Sequence, residues 1–151
     1  MLRAPVFSLV QGSAISPKIR FLNEIGWSDW SFVALPAYQM QDVPHAPTTF
    51  PFRLEQYTAD TQMGVGFQAL AGLATGGSII VSYNLQMDST GGGSGPFVDI
   101  KGFTTDDLST EVIIPNQEKG KIYFFRYRAK NAHGWGAFSP VNFVRMANKP
   151  S

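Results

Sequence analysis

From residue 47 onward, apolar and polar side chains alternate in short runs. Phe52-Arg-Leu54-Glu-Gln-Tyr57 alternates loosely, and Met63-Gly-Val65-Gly-Phe67-Gln-Ala69 alternates cleanly. Ile79–Met87, Phe97–Ile100, Glu111–Ile114, Ile122–Ala129 and Val141–Met146 continue the series. A two-residue period sends successive side chains to opposite faces of a strand. Between the runs lie Ala71-Gly72, Gly76-Gly77, Gly91-Gly-Gly-Ser-Gly95-Pro96 and Pro115-Asn116, all of them turn chemistry. No stretch sustains the i, i+3, i+4, i+7 apolar face of a helix. Seven strands at about 8–12-residue spacing predict an all-β, antiparallel sandwich. Its expected core is Tyr57, Phe67, Ile79 or Ile80, Tyr83, Leu85, Ile114, Tyr123, Phe125, Tyr127 and Val144.

The chain also repeats itself. Arg20, Asn23, Gly26, Trp27, Ser31 and Val33 recur as Arg128, Asn131, Gly134, Trp135, Ser139 and Val141, all at an offset of 108 residues (128 − 20), and Gly12 recurs as Gly120. That period exceeds the ~20–50 residues of solenoid repeats and suits one sandwich of ~100 residues per repeat. Tandem sandwiches point to stalks, fibres and adhesive arrays ahead of catalysis.

Bulk properties narrow the classes further. With 44% hydrophobic and 13% aromatic residues a packed core is expected and disorder is not. A net charge of +1 gives no basic footprint for nucleic acid. Apolar runs such as Ser78–Tyr83 are too short to span a bilayer, and residues 1–20 lack the plan of a signal peptide. The absence of cysteine removes disulfides, thiolate nucleophiles and cysteine-bound metals.

The run Tyr123-Phe-Phe125-Arg126-Tyr127-Arg128-Ala129-Lys130-Asn131 is the most specific segment. Its odd positions are apolar and its even positions from Arg126 are cationic, so one face is core and the other wet. It resembles the sixth strand of the fibronectin type III family, Tyr-x-Phe-Arg-Val-x-Ala-x-Asn. Gly76-Gly77-Ser78-Ile79 with Tyr83 resembles that family's entry to its third strand, and Pro44-His-Ala-Pro47 resembles its inter-domain opening. The resemblance implies a complete fibronectin type III (Ig-like) seven-stranded sandwich over residues 43–151. Residues 1–42 would be the last three strands of a preceding module, at Val6–Val10, Ala14–Phe21 and Phe32–Tyr38. It also implies a tyrosine corner at Tyr123, and Phe67 in place of the family's second-strand tryptophan.

Trp27-Ser-Asp-Trp30-Ser resembles the Trp-Ser-x-Trp-Ser box of class I cytokine receptors. There tryptophan faces alternate with strand cations, each exposed contact worth about 0.5–1 kcal/mol. The expected ladder comprises Arg20, Trp27 and Trp30, with Lys18 as the next cation, and Arg126, Arg128 and Trp135 in the complete module with Phe138 outermost. Trp27-x-x-Trp30 also resembles an acceptor for C-linked mannose at Trp27. No asparagine opens an Asn-x-Ser/Thr acceptor, while Thr48, Thr49, Ser89 and Thr90 are candidate O-glycan sites.

Enzymatic chemistry finds little support. Gly91–Gly95 lacks the following Lys-Ser/Thr and helix that a phosphate cradle needs. Asp99, Asp106 and Asp107 lack calcium-loop spacing. His45 and His133 have no nucleophile at catalytic spacing. The expectation is a non-catalytic module with no catalytic, cofactor-binding or metal-binding residues, in an extracellular or cell-surface filament or tandem array. Its expected partners are copies of itself or neighbouring repeats, with glycans as candidate modifications, no nucleic acid and no membrane span. An adhesion or ligand-binding receptor module and an intracellular scaffold are the rival readings.

Overall fold

A computed structural model describes residues 9–33, 35 and 37–147. Ten short strands follow one another: β1 Ala14–Ile15, β2 Tyr38–Gln39, β3 Phe52–Ala59, β4 Gln62–Gly66, β5 Ser82–Asp88, β6 Val98–Lys101, β7 Glu111–Pro115, β8 Ile122–Asn131, β9 Gly134–Trp135 and β10 Asn142–Arg145. One antiparallel sheet has the order β10-β8-β5-β6, with β9 also paired to β8. A second has the order β3-β4-β7, and β1-β2 stand apart as a small pair.

The two larger sheets face each other across one core. Met63, Val65 and Ile114 come from the three-stranded sheet, and Tyr83, Leu85, Tyr123, Phe125, Tyr127, Ala129 and Val144 from the other. Each fully buried aliphatic or aromatic side chain contributes about 1.5–3 kcal/mol. Phe67 stacks on Tyr127 at 4.5 Å and tilts against Tyr83 at 5.6 Å. The buried tyrosine hydroxyls stay satisfied at the core's rim. Tyr83 Oη accepts Leu70 N at 2.9 Å, Tyr123 Oη accepts Glu118 N at 2.8 Å, and Tyr127 Oη donates to Gln68 O at 2.9 Å. Burial among these rings raises the Tyr127 phenol above its usual value and keeps it neutral.

The seven expected strands of the sandwich are present, with two differences in detail. Tyr57 is exposed, not core: it lies over Gly64, where an added Cβ would stand 2.6 Å from the Tyr57 Cβ. The register of β3 on β4 shifts between Leu54 and Ala59, and the irregularity breaks the parity that alternation assigns. Ile79 projects into solvent at 83% exposure, so Ile80 packs on the core in its place.

The N-terminal hairpin differs more. The expected strand Ala14–Phe21 is regular only at Ala14–Ile15, and of Phe32–Tyr38, whose positions 34 and 36 lie outside the described residues, Tyr38 pairs. Beyond Ile15, Pro17 has no N–H to pair, and serine hydroxyls take over from carbonyls. Ser31 Oγ accepts Ile19 N at 3.0 Å and Ser28 Oγ accepts Phe21 N at 2.9 Å. Of the expected Val6–Val10 strand, residues 6–8 lie outside the described residues, and Leu9–Val10 are not in a strand.

The hairpin base rests on the loop that leads into β5. Gly12 N donates to Met40 O at 3.1 Å and Met40 N to Ser13 O at 3.0 Å. Gln11 Nε2 reaches Leu73 O at 3.1 Å, Asp42 N reaches Gly76 O at 2.9 Å, and His45 N reaches Ala74 O at 3.0 Å. Asn131 clamps the same strap, donating through Nδ2 to Asp42 O at 2.7 Å and Thr75 O at 2.9 Å. Gly76 sits at φ +78°, and a Cβ there would stand 2.1 Å from Asp42 O, so only glycine fits.

Candidate functional site

The outer face of the five-stranded sheet carries a column of alternating cations and rings. It begins on β8, where a strict two-residue period directs Arg126, Arg128 and Lys130 away from the core. Arg126 Cζ lies 4.0 Å from both the Phe97 and Phe138 ring centres. Arg128 Cζ lies 4.3 Å from Phe138, 4.8 Å from Trp135 and 5.7 Å from Phe103. Lys130 Nζ closes the column 5.6 Å from Trp135.

A second set of bonds fixes the guanidinium planes. Arg126 Nε donates to Gln86 Oε1 at 2.9 Å and Arg128 Nε to Asn84 Oδ1 at 3.2 Å. Those two amides in turn donate to one oxygen of Asp99, at 2.9 Å from Gln86 and 2.8 Å from Asn84. Carboxylate on β6, amides on β5, cations on β8 and rings beyond them form one relay across the sheet. Desolvation lowers the pKa of both guanidiniums and the Asp99 charge opposes it. Arginine nevertheless stays protonated under all ordinary conditions.

The N-terminal hairpin copies the far end of this column. Arg20 Cζ lies 4.4 Å from Trp27 and 4.5 Å from Trp30, as Arg128 lies between Trp135 and Phe138. The main-chain bonds recur at the same 108-residue offset. Ser28 N to Phe21 O (2.8 Å) matches Gly136 N to Ala129 O (2.9 Å), and Ser31 N to Ile19 O (2.8 Å) matches Ser139 N to Tyr127 O (2.7 Å). Ser31 Oγ accepting Ile19 N has its counterpart in Ser139 Oγ accepting Tyr127 N at 3.1 Å. At the tips, Asn23 Oδ1 accepts Ile25 N and Asn131 Oδ1 accepts His133 N, both at 2.9 Å. Lys18 is exposed and makes no ring contact among the described residues.

The other residues singled out in the sequence lie apart. Asp106 pairs with Lys130 at 3.0 Å and Asp107 with Lys101 at 3.0 Å, while Asp99 belongs to the relay. Among the described residues, no three His, Cys, Asp or Glu side chains cluster as metal ligands would. The Gly91–Gly95 loop is tied to Asp88, which accepts Thr90 N at 2.7 Å and Gly95 N at 3.1 Å. Of the candidate O-glycan acceptors, Thr49 Oγ1 already bonds Tyr127 Oη at 2.9 Å, and Thr90 Oγ1 donates to Asp88. His133 Nε2 bonds Gln41 Oε1 at 2.9 Å. No described helix is long and apolar enough to cross a membrane.

Phe97, Phe103, Asn84 and Gln86 were not legible as ladder members. Two of them stand next to β6 and two on β5, distant in sequence from the cations they hold. The one available signal was polarity in β5, where Asn84 and Gln86 alternate with Tyr83, Leu85 and Met87.

No protein-family model matches the sequence, and no curated protein matches it. Solved structures do. Domains A168–A170 of titin superpose with a TM-score of 0.57 at 18% identity, covering 83% of this chain and 38% of that one. A human domain described as a fourth FNIII domain gives 0.59 at 18% identity, with 78% and 92% covered. The twitchin kinase region of C. elegans gives 0.54 at 22% identity, with 71% and 17% covered. This chain thus spans well under half of the titin and twitchin fragments and nearly all of the single human domain. Two antiparallel sheets around a tyrosine-rich core, superposable on these domains, give this chain the fibronectin type III fold.

Proposed function

We propose that this chain is a non-catalytic structural module of an extracellular or cell-surface filament or tandem array, assembling through β-strand contacts between repeats. In this reading residues 43–151 form one module and residues 1–42 the end of the module before it. The observation that carries it is the uncovered copy of the hairpin. Residues 14–31 reproduce the hairpin bonds of the sandwich, yet among the described residues the face equivalent to Tyr123, Phe125, Tyr127 and Ala129 has no opposing sheet. Ile19 and Phe21 on that face are 58% and 72% exposed. Folded monomers avoid bare strand edges and extended apolar faces. Strands supplied by another copy or a neighbouring repeat cover the face by β-augmentation, and a head-to-tail contact of that kind propagates without closing. The ladder supports a structural role, because its cations are held by partners within the fold.

A ligand-binding receptor module is the second reading. It is favoured by Trp27 and Trp30, which remain more than half exposed beside Arg20. Sedimentation velocity of the 151-residue chain separates the two. The array reading expects concentration-dependent growth into long species, visible as fibres by electron microscopy, and a soluble monomer at all concentrations would overturn it. Peptide mass spectrometry of native material reads the compartment. One hexose on Trp27 accompanies secretion, and an unmodified Trp27 favours the intracellular scaffold.

A further inference from the structure

The base of the N-terminal hairpin and the base of the sandwich are built alike, but among the described residues only the first has a loop against it. Gly12 at φ +80° and Met40 close the first base through Gly12 N to Met40 O and Met40 N to Ser13 O. Gly120 at φ +84° and Met146 close the second through Gly120 N to Met146 O at 2.5 Å and Met146 N to Lys121 O at 2.9 Å. Against the first base lies Leu73: a Cβ on Gly12 would stand 3.2 Å from Leu73 Cδ2. Around the same point on Gly120 no atom of the described residues lies within 4 Å.

The sequence leaving each base repeats as well. Met40-Gln-Asp42-Val-Pro44 is echoed by Met146-Ala-Asn148-Lys-Pro150, each matching residue 106 further on (146 − 40). In the first copy this segment is the strap on the loop, with Asp42 N bonded to Gly76 O and Asp42 O to Asn131. Lys119 stands where Gln11 stands. Gln11 donates to Leu73 O, and the Lys119 ammonium, now reaching Asp60 at 3.3 Å on the surface, is a donor of similar reach.

We propose that the base formed by Lys119–Lys121 and Arg145–Met146 is the docking surface for the Gly72–Gly77 loop of a following copy of this module. The leucine of that loop sits on Gly120 as Leu73 sits on Gly12. The inference rests on the tandem reading above and specifies its joint. Each module offers one loop at one end and one seat at the other, and the loop of this chain is already taken by its own hairpin base. Modules therefore join in single file, with one loop to each seat.

The test extends the full chain, placing a second copy of residues 43–147 directly after Asn148, so that Asn148 takes the position of Asp42. Nuclear magnetic resonance should show the Gly120 and Met146 amides displaced from their positions in the unextended chain. A nuclear Overhauser contact from Gly120 Hα to the appended copy's Leu73 methyls is also expected. Leu73→Asp in the appended copy alone should abolish both effects. A folded extension that leaves Gly120 unperturbed overturns the docking surface but leaves the filament reading to its own sedimentation test. If the extension fails to fold, Leu73→Asp in the unextended chain gives the answer at the existing joint. Faster hydrogen exchange at Gly12 and Met40 upholds the leucine seat, and unchanged exchange there removes it.

Discussion

Single side chains hold this fold at its rims. Tyr123 is 3% exposed, and its hydroxyl accepts Glu118 N from the turn before β8. Tyr123→Phe removes the acceptor and leaves that N–H unpaired. The expected loss is about 1–3 kcal/mol, read from the urea midpoint at unchanged slope, and an unchanged midpoint would show that the hydroxyl does not matter. Asp88 performs the same service for the glycine loop. Its carboxyl is held below the ordinary 3.8 first by the Thr90 hydroxyl, then by the Thr90, Gly95 and Gly93 amides, against an opposing desolvation. A lowered carboxylate stabilises the fold above its unfolded-state pKa, and the stabilisation fades as pH falls through the folded value. The Thr90 and Gly95 amides should therefore keep their protection down to about pH 4 and lose it below. In Asp88→Asn that acid step should vanish from the loop.

At the scale of the elements, two matching hairpins form a built-in control. Ser139 Oγ and Ser31 Oγ make the same bond, but Ser139 is 5% exposed while Ser31 is open to water. Ser139→Ala strands Tyr127 N in the interior and should cost about 1–3 kcal/mol. Ser31→Ala lets water replace the hydroxyl and should fall within about 0.5 kcal/mol. Equal effects in thermal unfolding would show that both bonds are equally wet. The strands of the sandwich were legible because half-buried antiparallel strands alternate. Alternation failed at Tyr57, where the β3 irregularity intervenes, and at Ile79, which precedes the pairing of β5. The short strand β9 went unseen because two residues have no period. Residues 16–21 misled for another reason: their pattern is that of a strand, but serine hydroxyls replace carbonyls in the pairing. The tryptophan box and β8 cations were visible as motifs, whereas the amide and carboxylate half of the relay depends on strand order, which no local pattern encodes.

For the molecule as a whole, the positions of entry and exit have a mechanical consequence. The strap at Val43–Pro44 enters beside the β8–β9 tip, and a Cβ on Gly136 would stand 2.2 Å from Pro44 O. The chain leaves β10 at the opposite end, where Met146 bonds Gly120 and Lys121. Tension between those two points acts along β10, whose register on β8 runs from Asn142 opposite Phe125 to Arg145 opposite Ile122. The force lies parallel to the strands and perpendicular to the bonds between them, so these pairs are strained together and not peeled in turn. Rupture would require sliding β10 along β8 and drawing Val144 out of the core in the same motion. A pull delivered sideways at Ile122–Arg145 would meet one pair at a time. Direction of load, more than the number of bonds, sets how firmly this module resists being drawn out.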